Sequence, residues 1–398
     1  MAQFTFSNNT YAGEALAGFM ASTLLQADSV KRGLWTVIQE CKARQVILTV
    51  DDDVVLQNPS GIFNDQGTTS TQIESYLDPV VYEFMKTEQW DKLIQSWEQS
   101  QIKSGSLNDY DGIVDLRNFL MERYTEKLSI ASERLYYLGK GNTLEATFTA
   151  AYPGLLSTVA SNGSTYKLTL AGLGASMAAS AISASGVVTV TSTANLVSGD
   201  VVTINGVTGA IADTLYGAIS GQSYFIVVNN ATTFTLVRNY NEVNKRRAAA
   251  FTGTSTGATV NFINVSNVIP VLQAVYAQLD YADRSQPDFN LQIPKHVGYA
   301  YAISQANKAT NVLNAFTLPK EMDFLGIPLQ IMNHWNANVI LGARSSNLFL
   351  GVDLLSDQQN LKMVFLGDYT NDQVVKTRAR MKSCVNANFF NEILYLSA

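Results

Sequence analysis

Residues 374–396 read VVKTRARMKSCVNANFFNEILYL, and the spacing of the charges in this stretch decides how it folds. Its cations recur at every second position, as Lys376, Arg378, Arg380 and Lys382. Side chains alternate between the two faces of a strand, whereas a helix would scatter the same charges around its circumference. The sequence therefore predicts a strand with a basic row on one face. The other face would carry Thr377, Ala379, Met381 and Ser383.

The basic row, Lys376 to Lys382 at alternate positions, favours a negative partner, because a line of like charges repels itself by roughly a few tenths of a kcal/mol per neighbour. Three interpretations are open: the phosphates of nucleic acid, the carboxylates of a neighbouring protein, or solvent alone. Phosphate contact would be independent of base sequence, because no aromatic residues interleave with the cations. A net charge of −6 argues against broad capture of nucleic acid by the whole molecule.

The chain has 398 residues, 46% of them hydrophobic, which is enough for two or three domains with buried cores. Cys41 and Cys384 stand far apart and outside any CxxC motif, so we expect buried thiols in a reducing compartment and no disulfide framework. His296 and His334 lie in no metal-binding motif. The sequence thus predicts a protein that is not an enzyme, and we assign it no catalytic residue, no cofactor and no metal.

The N-terminal part is predicted to be extended. Residues 1–42 are predicted to form an arm with a short helix. They lack the cationic start and apolar run of a signal peptide. Residues 33–50 are predicted to pass from helix to strand. Residues 43–78 predict a projecting β loop, since two strand-like pieces flank the turn-forming runs NPSG and FNDQG. Three consecutive carboxylates in this loop offer oxygen ligands for a cation, but a solvated turn is favoured over such a site, and at a subunit contact they would form an acidic patch that meets a cationic row. They are Asp51, Asp52 and Asp53.

Two helical regions are predicted next. Residues 80–100 place apolar side chains at spacings of three and four, which indicates an amphipathic helix. A longer helix carries one apolar stripe made of Ile113, Leu116, Leu120, Tyr124, Leu128, Ala131, Leu135 and Leu138. Asp109 or Asp111 would cap its start, and Gly139 with Gly141 would end it. Its charged residues, Glu133 among them, are expected on a solvated or inter-subunit face.

Composition changes sharply after this helix. Between Leu168 and Val237 the only charged residues are Asp200 and Asp213, and short alternating segments such as GVVTVTS and TTFTLVR are separated by Gly and Asn turns. This pattern predicts an all-β domain, residues 174–262, inserted into another domain. Beyond it, residues 268–310 predict a helix, a loop and a second helix, and residues 325–365 return to strand patterns.

The order of these elements resembles the major capsid proteins of tailed bacteriophages, with the Hong Kong ninety-seven type of fold. ERLYYLGKGN resembles the end of that family's spine helix, and AYPGLL resembles the start of its axial domain. ANVILGARSSNLFLGVDLLSDQQNLKMVF and the closing NEILYLSA are similar to its last strands. The Trp-rich EQWDKLIQSWEQSQ is similar to sequences of crAss-like phages of gut Bacteroidetes.

The resemblance implies an α+β fold with a defined domain order. The divisions are 1–42, an N-terminal arm; 43–78, a projecting β loop; 79–144, a peripheral domain with the spine helix; 145–173, the first part of an axial domain; 174–262, the inserted β domain; 263–340, the second part of the axial domain; and 341–398, a C-terminal return to the peripheral sheet.

The resemblance also implies a function. Copies of the chain would assemble as hexamers and pentamers into the icosahedral head of a phage, formed in the host bacterial cytoplasm and enclosing double-stranded DNA by non-specific contact. Further expected partners are separate scaffolding, portal and auxiliary or head-fibre proteins; no membrane is expected. Two alternatives are an encapsulin-type cellular compartment and a phage tail or adhesion protein whose β insert binds carbohydrate.

Two departures from that family bear on assembly. Some members cross-link neighbouring subunits from a lysine on the projecting loop, but this sequence has no lysine between Lys42 and Lys86, so we expect no such isopeptide bond. Some members carry a scaffolding segment ahead of the arm. This sequence reaches the predicted arm at once, so we expect a separate scaffolding protein or none.

Overall fold

The computed structural model describes residues 27–53, 69–89, 111–139, 152–214, 217–279, 285–308, 322–333, 335, 338–353, 362–365 and 374–397. Several predicted features lie outside these residues. They are the helical part of the arm before residue 27, the turn runs NPSG and FNDQG, the Trp-rich segment from Trp90 onward, and the positions Asp109, Gly141 and His334.

Within the described ranges the helices are α1 (Asp28–Lys31), α2 (Asp111–Leu138), α3 (Leu155–Ser161), α4 (Tyr240–Lys245), α5 (Val268–Gln278) and α6 (Lys295–Lys308). The strands are β1 (Thr36–Gln39), β2 (Gln45–Asp53), β3 (Thr69–Leu77), β4 (Val80–Gln89), β5 (Tyr166–Thr169), β6 (Ser176–Ile182), β7 (Val187–Val190), β8 (Val201–Thr208), β9 (Ala212–Asp213), β10 (Gly217–Ala218), β11 (Gln222–Val228), β12 (Thr233–Val237), β13 (Phe251–Thr252), β14 (Gly257–Phe262), β15 (Phe289–Pro294), β16 (Met322–Phe324), β17 (Ile327–Met332), β18 (Ile340–Arg344), β19 (Leu348–Val352), β20 (Lys362–Phe365), β21 (Val374–Ala387) and β22 (Leu394–Ser397).

The chain divides into two compact units. The first takes Met1–Gly141, Ala151–Leu155 and Leu348–Asn388, and the second takes Asn142–Ala150, Leu156–Asn347 and Phe389–Ala398. Sheets dominate both units, so the molecule is a sheet-rich mixed structure with few helices.

The first unit is organised around the strand that the basic row predicts. β21 is 14 residues long and pairs antiparallel with β4 along Val374 to Ser383. It also pairs with β19 and with β20. Arg378 pairs with both β4 and β20, and Ser383 pairs with both β4 and β19. Strands β19 and β20 therefore lie one after the other along the edge of β21 that is opposite β4. The strand prediction is confirmed, and β21 is the central strand of its sheet.

The predicted helix over 80–100 is wrong for its first half. Residues 80–89 form β4, whose sequence VVYEFMKTEQ is rich in β-branched and aromatic residues. Val80, Tyr82 and Phe84 recur at a period of two, as in a strand, whereas Val81 and Met85 of the predicted helical stripe are exposed. As a strand, this segment pairs with β21 over ten residues, and a helix could not form these hydrogen bonds between strands. Tertiary pairing therefore decides its structure.

The N-terminal elements differ in part from their predictions. Thr36–Gln39, in the region predicted to begin as helix, is the strand β1 and pairs parallel with β19. The hairpin predicted within 43–78 is confirmed, because β2 and β3 pair antiparallel over nine residues each. The backbone of Asp51–Asp53 belongs to this ladder, opposite Thr69–Thr71, so the solvated-turn interpretation of these carboxylates is wrong.

Helix α2 confirms the predicted long helix but buries a wider face than the predicted stripe. Tyr124, Leu128 and Leu135 are buried as expected, whereas Ala131 is exposed. Gly139, with φ of 68°, ends the helix by donating its N–H to the Leu135 carbonyl. The additional buried residues are Ser129, Ser132, Glu133, Tyr136 and Tyr137.

The prediction that Glu133 lies on a solvated or inter-subunit face is wrong, because its side chain is buried in the core. Its Oε2 accepts a hydrogen bond from the Asp28 backbone N–H at 3.2 Å, at the start of α1. Burial, and secondarily the nearby charge of Asp28, raises the pKa of Glu133 from its ordinary 4.5 to about 7. The sequence pattern misses this residue because charged side chains are rarely buried unless paired.

The second unit contains a six-stranded sheet and a closed barrel. The sheet has the order β16-β17-β15-β18-β22-β5, and the barrel has the order β11-β12-β7-β6-β14-β8. The barrel strands confirm the strand segments predicted between residues 174 and 262. In the sheet, β15 was predicted as loop; it is a fully buried strand between parallel β17 and antiparallel β18. Burial on both faces removes the alternation by which strands are recognised.

The pKa of Glu133 yields a pH-dependent prediction. The native state binds an extra proton between pH 4.5 and 7, so the contribution of this group to stability is full below pH 4.5 and is lost as the pH rises through about 7. Because glutamine does not titrate in this range, we expect Glu133→Gln to abolish this loss in the free energy of unfolding, which amounts to up to about 3 kcal/mol. Urea unfolding of both proteins from pH 4.5 to 8 measures it.

The exposed Glu126 of the same helix provides the control, since Glu126→Gln should leave the pH profile unchanged. Parallel pH profiles for wild type and Glu133→Gln would contradict the assignment.

Candidate assembly surface

The two faces of β21 differ as the sequence predicts. Lys376, Arg378 and Arg380 are exposed and Lys382 is half-buried. The intervening residues are buried, namely Thr377, Ala379, Met381 and Ser383. The basic row thus lies on the open face of the sheet.

Neighbouring β4 contributes to the same open face. The register places Val81 opposite Lys382, Glu83 opposite Arg380 and Met85 opposite Arg378, and directly opposed residues of an antiparallel pair share a face. The side chain of Met85 is 67% exposed and that of Val81 is 42% exposed. The surface is therefore a basic row flanked by exposed apolar side chains, and we call it the β4–β21 surface.

Two of the four cations in the basic row contact other groups of the same chain. Arg378 Nη2 contacts Glu83 Oε2 at 2.7 Å, in an ion pair whose side chains are both about half exposed. Such a pair contributes about 0–1 kcal/mol. The Lys382 ammonium donates to the backbone carbonyl of Lys42. Lys376 and Arg380 are exposed, and no side-chain partner is found for them among the described residues.

The buried face fixes the orientation of the row. The Ser383 hydroxyl lies 3.1 Å from the Tyr152 hydroxyl and 3.3 Å from that of Tyr82, and the two rings meet edge to face. Burial raises the pKa of both phenols, so they stay neutral hydrogen-bonding groups. A slip of β21 by one residue would bury the cations and expose these hydroxyl contacts, which makes the register strongly specified.

The predicted acidic patch lies on a different element. Asp51, Asp52 and Asp53 end β2, and their side chains fall outside the described part of the structure. Nothing here brings them together with the basic row within one chain, and their role as an inter-subunit patch stays a prediction.

The described residues contain neither a metal-binding cluster nor a membrane-spanning helix. They contain no group of three or more His, Cys, Asp or Glu side chains that could hold a metal ion. None of the described helices is long and apolar enough to cross a membrane. His296 is partly buried: its Nε2 lies 2.7 Å from Asn338 Oδ1, and burial lowers its pKa to about 4. Asn338 Nδ2 in turn donates to the Val201 carbonyl of the barrel at 3.1 Å.

Two features of this region are invisible to sequence reasoning. Glu83 was assigned to a helix, so its ion pair with Arg378 could not be foreseen. Cys41 and Cys384 are buried thiols, as expected, but the sequence does not show that their sulfurs lie 3.6 Å apart. Both contacts depend on strand order, and only the cysteine pair has a sequence signal, which is the buried character of cysteine itself.

Comparison with protein-family models and with curated proteins finds no match. Solved structures do match. A chain of the satellite phage P4 procapsid, in a structure that includes the size determination (Sid) protein, gives a TM-score of 0.50 at 10% identity, covering 96% of this chain and 89% of that chain. A Gordonia phage Cozz structure gives 0.45 at 9% identity, covering 93% and 86%. The capsid of an empty GTA particle gives 0.44 at 13% identity, covering 94% and 90%. The first likeness shows the fold: the chain has the fold of a phage capsid protein.

The opposite faces of β21 predict opposite responses to truncation. We expect Arg380→Ala to change the free energy of unfolding of the chain by no more than about 0.5 kcal/mol, because its side chain is exposed and has no described partner. Met381→Ala should cost about 2–5 kcal/mol, because Met381 is 3% exposed and its removal leaves a cavity. Urea unfolding of the wild type and the two variants measures these free energies. Equal losses of stability in the two variants would contradict the assigned faces of β21.

Proposed function

We propose that this chain is a major capsid protein that self-assembles as hexamers and pentamers into the icosahedral head of a tailed bacteriophage and encloses double-stranded DNA. The observation that carries the proposal is the match to a procapsid chain over 96% of this chain, since it spans both units. The order of hairpin β2–β3, helix α2 and the later strands supports it, because it is the order that the sequence resemblance implies.

In this proposal the chain works by association and catalyses no reaction. Each contact between copies is modest, but a closed shell engages many contacts per copy, and their effects add through multivalency. The predicted elements then acquire roles. Hairpin β2–β3 is the projecting loop, α2 is the spine helix, and the barrel is the inserted β domain, carried where it does not obstruct the lattice.

The hairpin has a physical reason to meet a neighbour. A two-stranded sheet is marginally stable alone in water. Val46 and Leu48 on β2 are more than half exposed, and Tyr76, opposite Val46, stacks under Arg44 at 3.9 Å. An exposed apolar face on a thin element favours coverage by a second copy of the chain.

The β4–β21 surface is proposed as a contact between subunits. Lys376 and Arg380 would pair with carboxylates of a neighbouring copy, for which Asp51, Asp52 and Asp53 are the sequence candidates. Exposed Met85 and Val81 beside the cations favour a protein partner over DNA, because apolar and Met residues suit protein interfaces, whereas DNA-binding surfaces are polar and strongly basic. Glu83 within the row also disfavours a polyanion.

The wider context belongs to the same proposal. The shell would form in the host bacterial cytoplasm and remain a virion component, with separate scaffolding, portal and auxiliary or head-fibre proteins as partners. The barrel is proposed to clamp neighbours, anchor a fibre or bind host glycans.

Electron microscopy of the expressed chain, alone and with candidate scaffolding proteins, tests the function. We expect closed shells built from hexamers and pentamers, and nuclease-protected DNA inside shells taken from phage. Cellular shells filled with enzymes would indicate an encapsulin-type compartment instead. Rings, trimers or monomers under every condition would overturn the proposal and favour a tail or adhesion protein. Boiled denatured shells should run as one band, because the hairpin region has no lysine for an isopeptide bond.

A paired charge deletion tests the interface. Lys376→Ala/Arg380→Ala should reduce the yield of empty, DNA-free shells at least tenfold, because each lost ion pair weakens every copy of the contact. The matched control is Lys245→Ala/Arg247→Ala, which removes the same charge from exposed positions at α4. Normal empty shells that retain less DNA would assign the row to DNA and overturn the inter-subunit role.

A further inference from the structure

The two cysteines of this chain meet in the core of the first unit. They are 343 positions apart in sequence, and their sulfur atoms lie 3.6 Å apart. Cys41 is 0% exposed and Cys384 is 4% exposed, and Leu77 of β3 completes the small cluster around them. Both side chains are free thiols in this structure.

Strand order explains why they meet. Within the sheet, β19 lies between β1 and β21. Cys41 follows β1 and donates its N–H to the Val352 carbonyl of β19, while Cys384 of β21 stands opposite Gly351 of β19. The two cysteines therefore approach each other across one intervening strand, from its two sides.

Gly351 makes this approach feasible. A Cβ at this position would lie 2.5 Å from Cys384 Sγ and 3.1 Å from Cys41 Sγ, so any side chain would occupy the space that the sulfurs use. Its absence lets both thiols reach over β19 into one pocket. The juxtaposition is thus a built feature of three strands rather than two cysteines that happen to be buried.

We propose that Cys41 and Cys384 form a redox modification site, which closes to an intramolecular disulfide when the chain passes from a reducing to an oxidising medium. The inference concerns the first unit alone and does not depend on the capsid function. It adds to the expectation of two buried thiols, and it keeps the prediction of reduced cysteines for a cytoplasm, where disulfides are rare.

The reaction balances with a low-molecular-weight disulfide such as oxidised glutathione as the oxidant. One cysteine thiolate attacks a glutathione sulfur, breaks the S–S bond and releases one glutathione thiolate, which leaves a mixed disulfide. The second cysteine thiolate attacks the sulfur of the first cysteine and releases the second glutathione. The two protons lost by the cysteines end on the two glutathione thiols, and the two electrons reduce the oxidant.

Burial makes this exchange slow and pH-dependent. Burial raises the pKa of both thiols, most strongly that of Cys384, and the thiolate is the nucleophile. The rate should therefore rise about tenfold per pH unit between pH 7 and 9, as the thiolate fraction rises. Opening of the four-residue β1 pairing with β19 gives the oxidant its access.

The bond would tie the start of hairpin β2–β3 to the central strand. Cys41 lies between β1 and β2, and Cys384 lies in the part of β21 that pairs with β19. A link that closes so long a loop restricts the unfolded chain strongly. The thermal midpoint of the oxidised chain should thus lie several degrees above that of the reduced chain, and reductant should restore the lower value.

Oxidised glutathione added to the purified full-length chain tests the proposal. We expect both thiols to disappear, the intact mass to fall by two hydrogen atoms, the protein to stay monomeric on a non-reducing gel, and a digest to contain one peptide joining Cys41 to Cys384. Cys41→Ser and Cys384→Ser should each keep one thiol or take up one glutathione, without the rise in thermal midpoint.

Several results would overturn the proposal. They are two free thiols that persist at pH 9 while a urea-unfolded sample reacts, stable mixed disulfides on both cysteines, or covalent dimers in place of the internal link. The wild-type mass and peptide map decide the question even if a serine variant fails to fold.

Discussion

The first unit depends on the pairing of one strand along both edges. β21 bonds β4 along most of one edge and bonds β20 and then β19 along the other. Its inner face is closed by Ala379, Met381 and Ser383, all nearly inaccessible. Because the side-chain period of a strand is two, a fixed inner face also fixes the outer one, and the basic row must face outward. The candidate surface is a direct consequence of the fold.

This constraint connects structure to the proposed role. A strand paired on both edges presents no free backbone groups for edge-to-edge pairing along most of its length, so contact with other molecules falls to its open face. There, Arg378 and Lys382 contact groups of their own chain, whereas no such contact is found for Lys376 and Arg380 among the described residues. A surface of exposed cations flanked by Val81 and Met85 suits reversible association, in which no single contact is strong and many copies act together.

Sequence reasoning succeeded where one period dominates. The alternating cations predicted β21, the apolar stripe predicted α2, and the charge-poor Gly, Thr and Val segments predicted the barrel strands. It failed where a helical and a strand period overlap in one stretch, as in β4, and where burial on both faces hides any period, as in β15. Glu133 and the Cys41–Cys384 contact could not be predicted, because each depends on elements brought together only by the tertiary fold: α1 against α2, and β1 beside β19 beside β21.

Amide hydrogen exchange on the unassembled chain tests most directly whether β21 organises its unit. Exchange protection reports the free energy of the opening that exposes each amide. Peptides covering residues 375–387 should be the slowest of the first unit, and those of β2 and β3, which form a two-stranded sheet in the described part of the chain, should exchange much faster. Protection of β21 no greater than that of the hairpin would contradict the central position of this strand.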